Sequence, residues 1–304
     1  MKLPAESTAD VTELLASAGY ISNDRISTAL SLASRMQKPL LVEGQPGSGK
    51  TSLAKAVAAA TGAELIRLQC YRGLEVEHTI YEWDYMRQFL RIRVEGELGD
   101  ETDPDRLEDS IFTEGYLLER PILRALRRGS NAVLLIDELD RAGEDFEAFL
   151  LEVLDEYQVT VPELGTIRAE EPPLVVITSN RTRKIGDALK RRCLYCYLDQ
   201  PTAERELEIV RSAVPELDAT VAEQLVSFMQ SIRYQENLLR TPGISETLDW
   251  AGALAELHVA SLDADVVSRT LSTILKEPED LDQLDEAAVE ELTAAISGDG
   301  ESAG

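Results

Sequence analysis

No run of about 18 consecutive apolar residues occurs anywhere in this chain, and that argues against a membrane-spanning helix. The amino terminus also lacks a basic stretch followed by an apolar run, so no secretory leader is expected and the chain is assigned to the cytoplasm. Cysteine is scarce: Cys70, Cys193 and Cys196 are too few to suggest a disulfide framework. Cys193 and Cys196 form C-x-x-C, but Cys193 to Leu198 alternates as a strand does, and positions three apart on a strand face opposite sides. Buried apolar thiols are therefore expected, without zinc or redox chemistry. Positive charge is the other deficit. Thirty Lys and Arg stand against 56 Asp and Glu, a formal net charge of −26, and Arg outnumbers Lys 23 to 7. The acids are spread over nearly every helix face. Such acidity argues against nucleic-acid partners and fits a halophilic surface, on which molar salt screens the self-repulsion. Two local clusters run against this trend, Arg124-Arg127-Arg128 and Lys190-Arg191-Arg192.

What is present is concentrated in three places. Gly44 to Thr51 reads GQPGSGKT and matches the phosphate-binding pattern G-x-x-x-x-G-K-[ST] at every fixed position. Its context also agrees. Pro39-Leu40-Leu41-Val42 reads as a buried parallel strand, and Ser52 to Ala60 reads as the helix leaving the loop. The cradle comprises Gly44, Gln45, Pro46, Gly47, Ser48, Gly49, Lys50, Thr51 and Ser52. Its glycines allow a tight turn whose N–H groups face phosphate oxygens at a helix N-terminus. Lys50 is placed to reach the β- and γ-phosphates of a nucleoside triphosphate, and the Thr51 hydroxyl to ligate Mg²⁺.

Ala132 to Ile136 is a continuous apolar run, suited to a central strand covered on both faces, and it ends in Asp137-Glu138-Leu139-Asp140. Carboxylates at the carboxyl end of such a strand sit where open α/β sheets bind ligands. Asp137 is read as the Mg²⁺ partner, through water, and Glu138 as the group that polarises an attacking water. Capping of the helix that starts near Gly143 is the competing use of these acids, and it applies most to Asp140. Leu174 to Ser179 is a third buried strand. It ends at Asn180, which is placed to orient the same water or to sense the γ-phosphate. Three strands with polar carboxyl ends define one sheet edge and so one site.

The organisation expected is an α/β core, with a parallel sheet and helices on both faces, followed by a smaller all-α domain. Residues 1–20 form an N-terminal extension with a loosely attached helix from Ala9 to Ala18. Residues 21–200 form the nucleotide-binding core, with strands at Glu64 to Gln69, Ala132 to Ile136, Leu174 to Ser179 and Leu194 to Asp199. A hairpin from Gln158 to Ala169 follows the helix Glu144 to Glu156. Residues 201–296 are helical, at Ala203 to Ala213, Val221 to Gln235, Ser245 to His258 and Asp263 to Leu275. Residues 297–304 are small, polar and expected to be disordered. Glu95 to Asp109 reads as an acidic, loop-like insertion.

GQPGSGKT, LLIDELDRA, EDFEAFLLEVLDE, QVTVPELGTIRA and VVITSNRTRKIGDALKRRCLY together resemble an AAA+ ATPase of the MoxR family. LQCYRGLEVEHTIYEWDYMRQFL at Leu68 to Leu90 further resembles the CoxD-like branch, linked to carbon monoxide dehydrogenase maturation. The resemblance covers about residues 20 to 260. It implies a ring-forming, usually hexameric ATPase with ATP and Mg²⁺ as cofactors and a helical lid. It also implies a von Willebrand factor A domain partner and a metalloenzyme client. On it Lys50, Thr51, Asp137, Glu138 and Asn180 match the Walker A, Walker B and first-sensor positions. Arg192, or else Arg191, matches the arginine inserted by a neighbouring subunit. There is one departure: where the family's lid carries an arginine in a G-x-S-P-R setting, Gly243-Ile244-Ser245-Glu246-Thr247 has Thr, and Arg240 is the candidate substitute. Three other functions share parts of this pattern: a small-molecule kinase, a DNA-associated AAA+ factor, and a nucleotide-dependent scaffold without turnover.

Overall fold

The computed structural model describes residues 1–97, 110–235 and 238–298. The chain forms two compact units. One comprises Met1–Ala18, Ser22–Glu43 and Thr51–Tyr197; the other comprises Gly19–Ile21, Gly44–Lys50 and the chain from Leu198 onward.

The first unit is built on a five-stranded sheet of β1 (Leu40–Gly44), β2 (Glu64–Gln69), β5 (Ala132–Asp137), β8 (Leu174–Ser179) and β9 (Leu194–Leu198), in the order β2-β5-β8-β1-β9. The pairs β2–β5, β5–β8 and β1–β8 are parallel. Every residue of β1, β5 and β8 is buried. Successive strand side chains point to opposite faces, so both faces of these strands are covered, which is why their sequences run apolar without alternation. Register sets Gln69 opposite Asp137 and Glu43 opposite Ser179. The carboxyl ends of the strands are thereby aligned along one edge. Phe146 and Leu150 of the helix Glu144–Glu156 and Ile122 and Leu123 of the helix Pro121–Arg128 belong to the same apolar core as Leu134 and Ile136.

Two small antiparallel pairs complete this unit, β3 (Tyr81–Trp83) with β4 (Leu117–Glu119), and β6 (Gln158–Val161) with β7 (Gly165–Arg168). The second is the expected hairpin; Gly165 at φ +82° makes its turn, in the left-handed region that glycine enters without strain. The first pair, and the helix Tyr85–Glu97 that follows β3, were not expected. That helix covers the first three residues of the acidic insertion, and residues 98–109 lie outside the described residues. The first helix, Thr8–Ser17, is firmly packed instead of loose: Val11 and Leu15 are fully buried, and Thr12 Oγ1 lies 2.8 Å from Ser27 Oγ of the helix Asp24–Met36.

Beyond Leu198 the described residues are mainly helical, with helices at Ala203–Ala213, Ala219–Arg233, Ile244–Glu256, Ala264–Thr270, Pro278–Gln283 and Glu286–Gly298. Thr202, Asp218 and Asp263 start three of them by accepting first-turn backbone N–H groups. Their shared core centres on Trp250, edge-on to Phe228 with ring centroids 5.3 Å apart. The last helix extends two residues into the segment expected as a tail, and residues 299–304 lie outside the described residues.

Candidate active site

The phosphate loop leaves β1 at the aligned strand edge and leads into the helix Lys50–Thr61. Gly47 and Gly49 adopt φ +74° and +86°, the left-handed values that let successive N–H groups converge into an anion nest. Gly44 is glycine for a different reason. Its φ is ordinary, but a Cβ there would lie 2.6 Å from the Leu198 carbonyl oxygen and 2.8 Å from Ser48 Oγ, so the requirement is close packing. Lys50 is buried, and its Nζ donates to the carbonyls of Gly44 (2.9 Å) and Gln45 (2.6 Å) and to Ser48 Oγ (3.3 Å).

The segment Arg240 to Thr247 belongs to the same unit and packs on this loop. A Cβ on Gly243 would meet the Pro46 carbonyl oxygen at 2.9 Å, and one on Gly47 would meet Glu246 Oε2 at 3.0 Å. Glu246 Oε2 accepts from Gly243 N at 2.9 Å, and Arg240 Nη2 lies 3.4 Å from Glu246 Oε1. Thr247 is fully buried. It donates to Glu206 Oε1 (2.6 Å) and accepts from Arg233 Nη2 (2.9 Å), while Arg233 grips Glu206 through two bonds of 2.6 and 2.7 Å. Thr247 thus supplies a hydroxyl to a buried ion pair.

In the first unit, β5 delivers Asp137, 2% exposed, to the sheet edge. Its Oδ1 accepts from Thr51 Oγ1 at 3.1 Å and Thr178 Oγ1 at 2.5 Å; its Oδ2 accepts from Arg67 Nε at 2.9 Å. Glu138 follows at φ +56°, a left-handed conformation unusual for a residue with a side chain, which turns the chain sharply off the strand end. Its backbone N–H donates to Thr178 Oγ1 at 2.9 Å. Its carboxylate accepts from Asn180 Nδ2 at 3.3 Å and Gln69 Nε2 at 3.0 Å and pairs with Arg141 Nε at 3.0 Å. Asp137, Glu138, Thr51 and Asn180 are therefore linked, as the aligned strand ends require.

Asp140 has a use that differs from helix capping. It is buried and accepts from Asn180 N (3.1 Å), Thr182 N (2.9 Å) and Thr182 Oγ1 (2.6 Å), pinning the loop that carries Asn180. Burial alone would raise its carboxyl, but these hydrogen bonds outweigh it and hold the group below its ordinary value. Sequence reasoning also missed Arg67, Gln69 and Thr178, polar residues on strands that otherwise read as core.

In the basic cluster, Arg192 is paired with Asp155 of its own chain, whereas the side chain of exposed Arg191 makes no ion pair or hydrogen bond among the described residues. All three cysteines are buried. Burial pushes the Cys70 thiol up to about 12, helped by the charges of Asp137, Asp140 and Glu138, and burial likewise pushes Cys193 up to about 12. Among the described residues no three His, Cys, Asp or Glu gather as a metal site. The Thr51–Asp137 pair nevertheless suits Mg²⁺ bound mainly through nucleotide phosphates and water, since both donors are hard oxygens. The two left-handed loop glycines likewise fit a phosphate chain.

Comparison with known proteins agrees with this geometry. The AAA domain family, dynein-related subfamily, matches residues 39–193, just over half of the chain. An uncharacterized protein of Staphylococcus haemolyticus (strain JCSC1435) is 24% identical over 221 residues, covering 70% of this chain and 76% of that protein. Midasin of Dictyostelium discoideum is 27% identical over 213 residues, 67% of this chain but 3% of midasin. Among solved structures, a point mutant of Thermotoga maritima RuvB is similar with a TM-score of 0.50 at 17% identity, covering 94% of this chain and 76% of that one. That likeness concerns the fold alone. Among the described residues no helix is long and apolar enough to cross a membrane.

Proposed function

The chain belongs to the AAA domain family, dynein-related subfamily, and is an ATP hydrolase; from that premise we propose that it is a Mg²⁺-dependent remodelling motor of MoxR type, assembled as a ring, usually a hexamer. The observation that carries the chemistry is the hydrogen bond from Asn180 Nδ2 to Glu138 Oε1, 3.3 Å, beside the Thr51–Asp137 pair. Lys50 neutralises the β- and γ-phosphates as a point charge. Thr51, and Asp137 through water, would hold Mg²⁺, which would supply charge compensation for the phosphoryl oxygens. Glu138 polarises the attacking water, and Asn180 fixes the carboxylate's orientation. The trans arginine is Arg192 or Arg191. Both are exposed, but in the isolated chain Arg192 must leave Asp155 to act, whereas the Arg191 side chain has no ion pair to break among the described residues.

Two features support a motor that works on other proteins. The helix Tyr85–Glu97 exposes Tyr85, Met86, Phe89 and Leu90, and such an apolar patch marks a protein contact surface. The stretch Leu68 to Leu90 has the CoxD-like character noted above, on which the client is a metalloenzyme of molybdenum hydroxylase or carbon monoxide dehydrogenase type and the partner a von Willebrand factor A domain protein. The test is phosphate release from Mg²⁺–ATP with no acceptor present. Sustained release is expected. ADP formed only with an added hydroxyl acceptor, with the γ-phosphoryl group on that acceptor and none released as free phosphate, would favour a kinase, and binding without ADP formation would favour a scaffold.

A further inference from the structure

Arg67 lies on β2, beside β5, and its guanidinium occupies the oxygen of Asp137 that Thr178 leaves open. Arg67 Nε donates to Asp137 Oδ2 at 2.9 Å, and Nη2 lies 2.6 Å from the same oxygen. Arg67 Nη2 also bonds Gln69 Oε1, which holds the side chain extended along the strand end. A carboxylate oxygen offers about two acceptor positions. Oδ2 accepts from Arg67 Nε, pairs closely with Nη2 and lies 3.3 Å from Thr51 Oγ1, while Oδ1 accepts from Thr178 and Thr51. Both oxygens of Asp137 are therefore engaged by protein donors while Arg67 stays, and the guanidinium covers the Oδ2 side on which a metal ion or its water would compete. A divalent cation and a guanidinium at one oxygen would also repel each other strongly in so buried a place. The two partners are unequal in freedom: the Asp137 side chain is 2% exposed, whereas that of Arg67 is 48% exposed and has solvent to move into.

We propose that Arg67 is a built-in counter-ion for Asp137 that competes with the Mg²⁺–nucleotide complex for this carboxylate and withdraws when that complex is loaded. This rests on reading Asp137 as the metal carboxylate. Arg67 spares a buried acid from standing unpaired between turnovers, and in doing so it lowers the apparent affinity for the metal by the fraction of molecules it holds closed. The exchange also gives the loaded and unloaded states different charge arrangements at the end of β2.

The experiment titrates Mn²⁺ into the full chain with ADP, reading free Mn²⁺ by electron paramagnetic resonance, alongside thermal unfolding in chelator. Arg67→Ala should bind Mn²⁺ about ten-fold more tightly than the parent, and Arg67→Lys, which keeps the charge but lacks the two-nitrogen guanidinium fork, should fall between them. In chelator Arg67→Ala should melt lower, with a larger rise on adding Mn²⁺–ADP. In an Asp137→Asn background the effect of Arg67→Ala should vanish, because the competition acts through that carboxylate. Unchanged or weaker Mn²⁺ binding by both Arg67 variants would overturn the proposal. So would a tightening that persists in the Asp137→Asn background, the mark of a general charge effect. If Asp137→Asn alone binds Mn²⁺ as the parent does, the metal assignment itself fails, and that outcome is distinct from the other two. Should Arg67→Ala not fold, Arg67→Lys carries the comparison.

Discussion

At the scale of single residues, the two acids at the end of β5 were legible because an apolar strand ending in Asp-Glu leaves them few places to go. Their partners were not. Thr178 and Arg67 sit within strands whose apolar neighbours dominate the pattern, and only the parallel register reveals that they reach Asp137. Asp140 looked like a helix cap because sequence distance favoured the nearby helix. Its actual partners, Asn180 and Thr182, are some 40 residues away and were invisible without the pairing of β5 with β8. A prediction follows from its three hydrogen bonds. Asp140→Ala removes the charged acceptor of three part-buried hydrogen bonds from the Asn180 loop and lets Asn180 drift from Glu138. Turnover should fall by at least ten-fold while nucleotide affinity, measured by fluorescent-analogue titration, stays within about two-fold. Equal losses in both would mean that Asp140 supports the whole fold and not the placement of Asn180.

At the scale of elements, β1, β5, β8 and the helix Glu144–Glu156 were readable because continuous burial and a 3.6-residue period write themselves plainly into sequence. The helix Tyr85–Glu97 was not, since it exposes apolar side chains and carries arginines among them, the reverse of an ordinary amphipathic pattern. The short acidic helix Pro278–Gln283 was missed for a related reason: its charge hid Asp280, fully buried, which accepts from Leu239 N at 2.7 Å and Arg240 N at 3.2 Å. The ion pair of Arg233 with Glu206 joins three helices of this unit through Thr247. Removing one member leaves an unpaired charge among buried groups, so Glu206→Ala should destabilise the chain by about 3–5 kcal/mol in urea unfolding. The isosteric Glu206→Gln should cost less, because it still accepts from Arg233. A Glu206→Ala midpoint equal to the parent's would show that the pair contributes nothing net.

At the scale of the whole molecule, the charge of −26 and the reading as a ring lead to separate tests. If the acidic surface is adapted to salt, the melting temperature should rise between low and molar potassium chloride as screening relieves repulsion; a flat or falling profile would point to a specific cationic partner. In a ring with shared sites, a subunit carrying Arg191→Ala or Arg192→Ala should bind ATP normally yet lose hydrolysis, by roughly 10³ to 10⁵ for the true trans arginine. Mixed with Glu138→Gln subunits it should regain part of the activity, because some interfaces then combine an intact Glu138 with an intact arginine. A mixture that stays inactive despite proven subunit exchange would contradict shared sites. The claim on which the rest depends is that Glu138 polarises the water while the phosphate cradle binds without it. The most direct measurement is ATP binding and single-turnover phosphate release by Glu138→Gln. Binding within a few-fold of the parent with release slowed by at least 10² is the predicted result; phosphate release at the parent's rate would contradict the account.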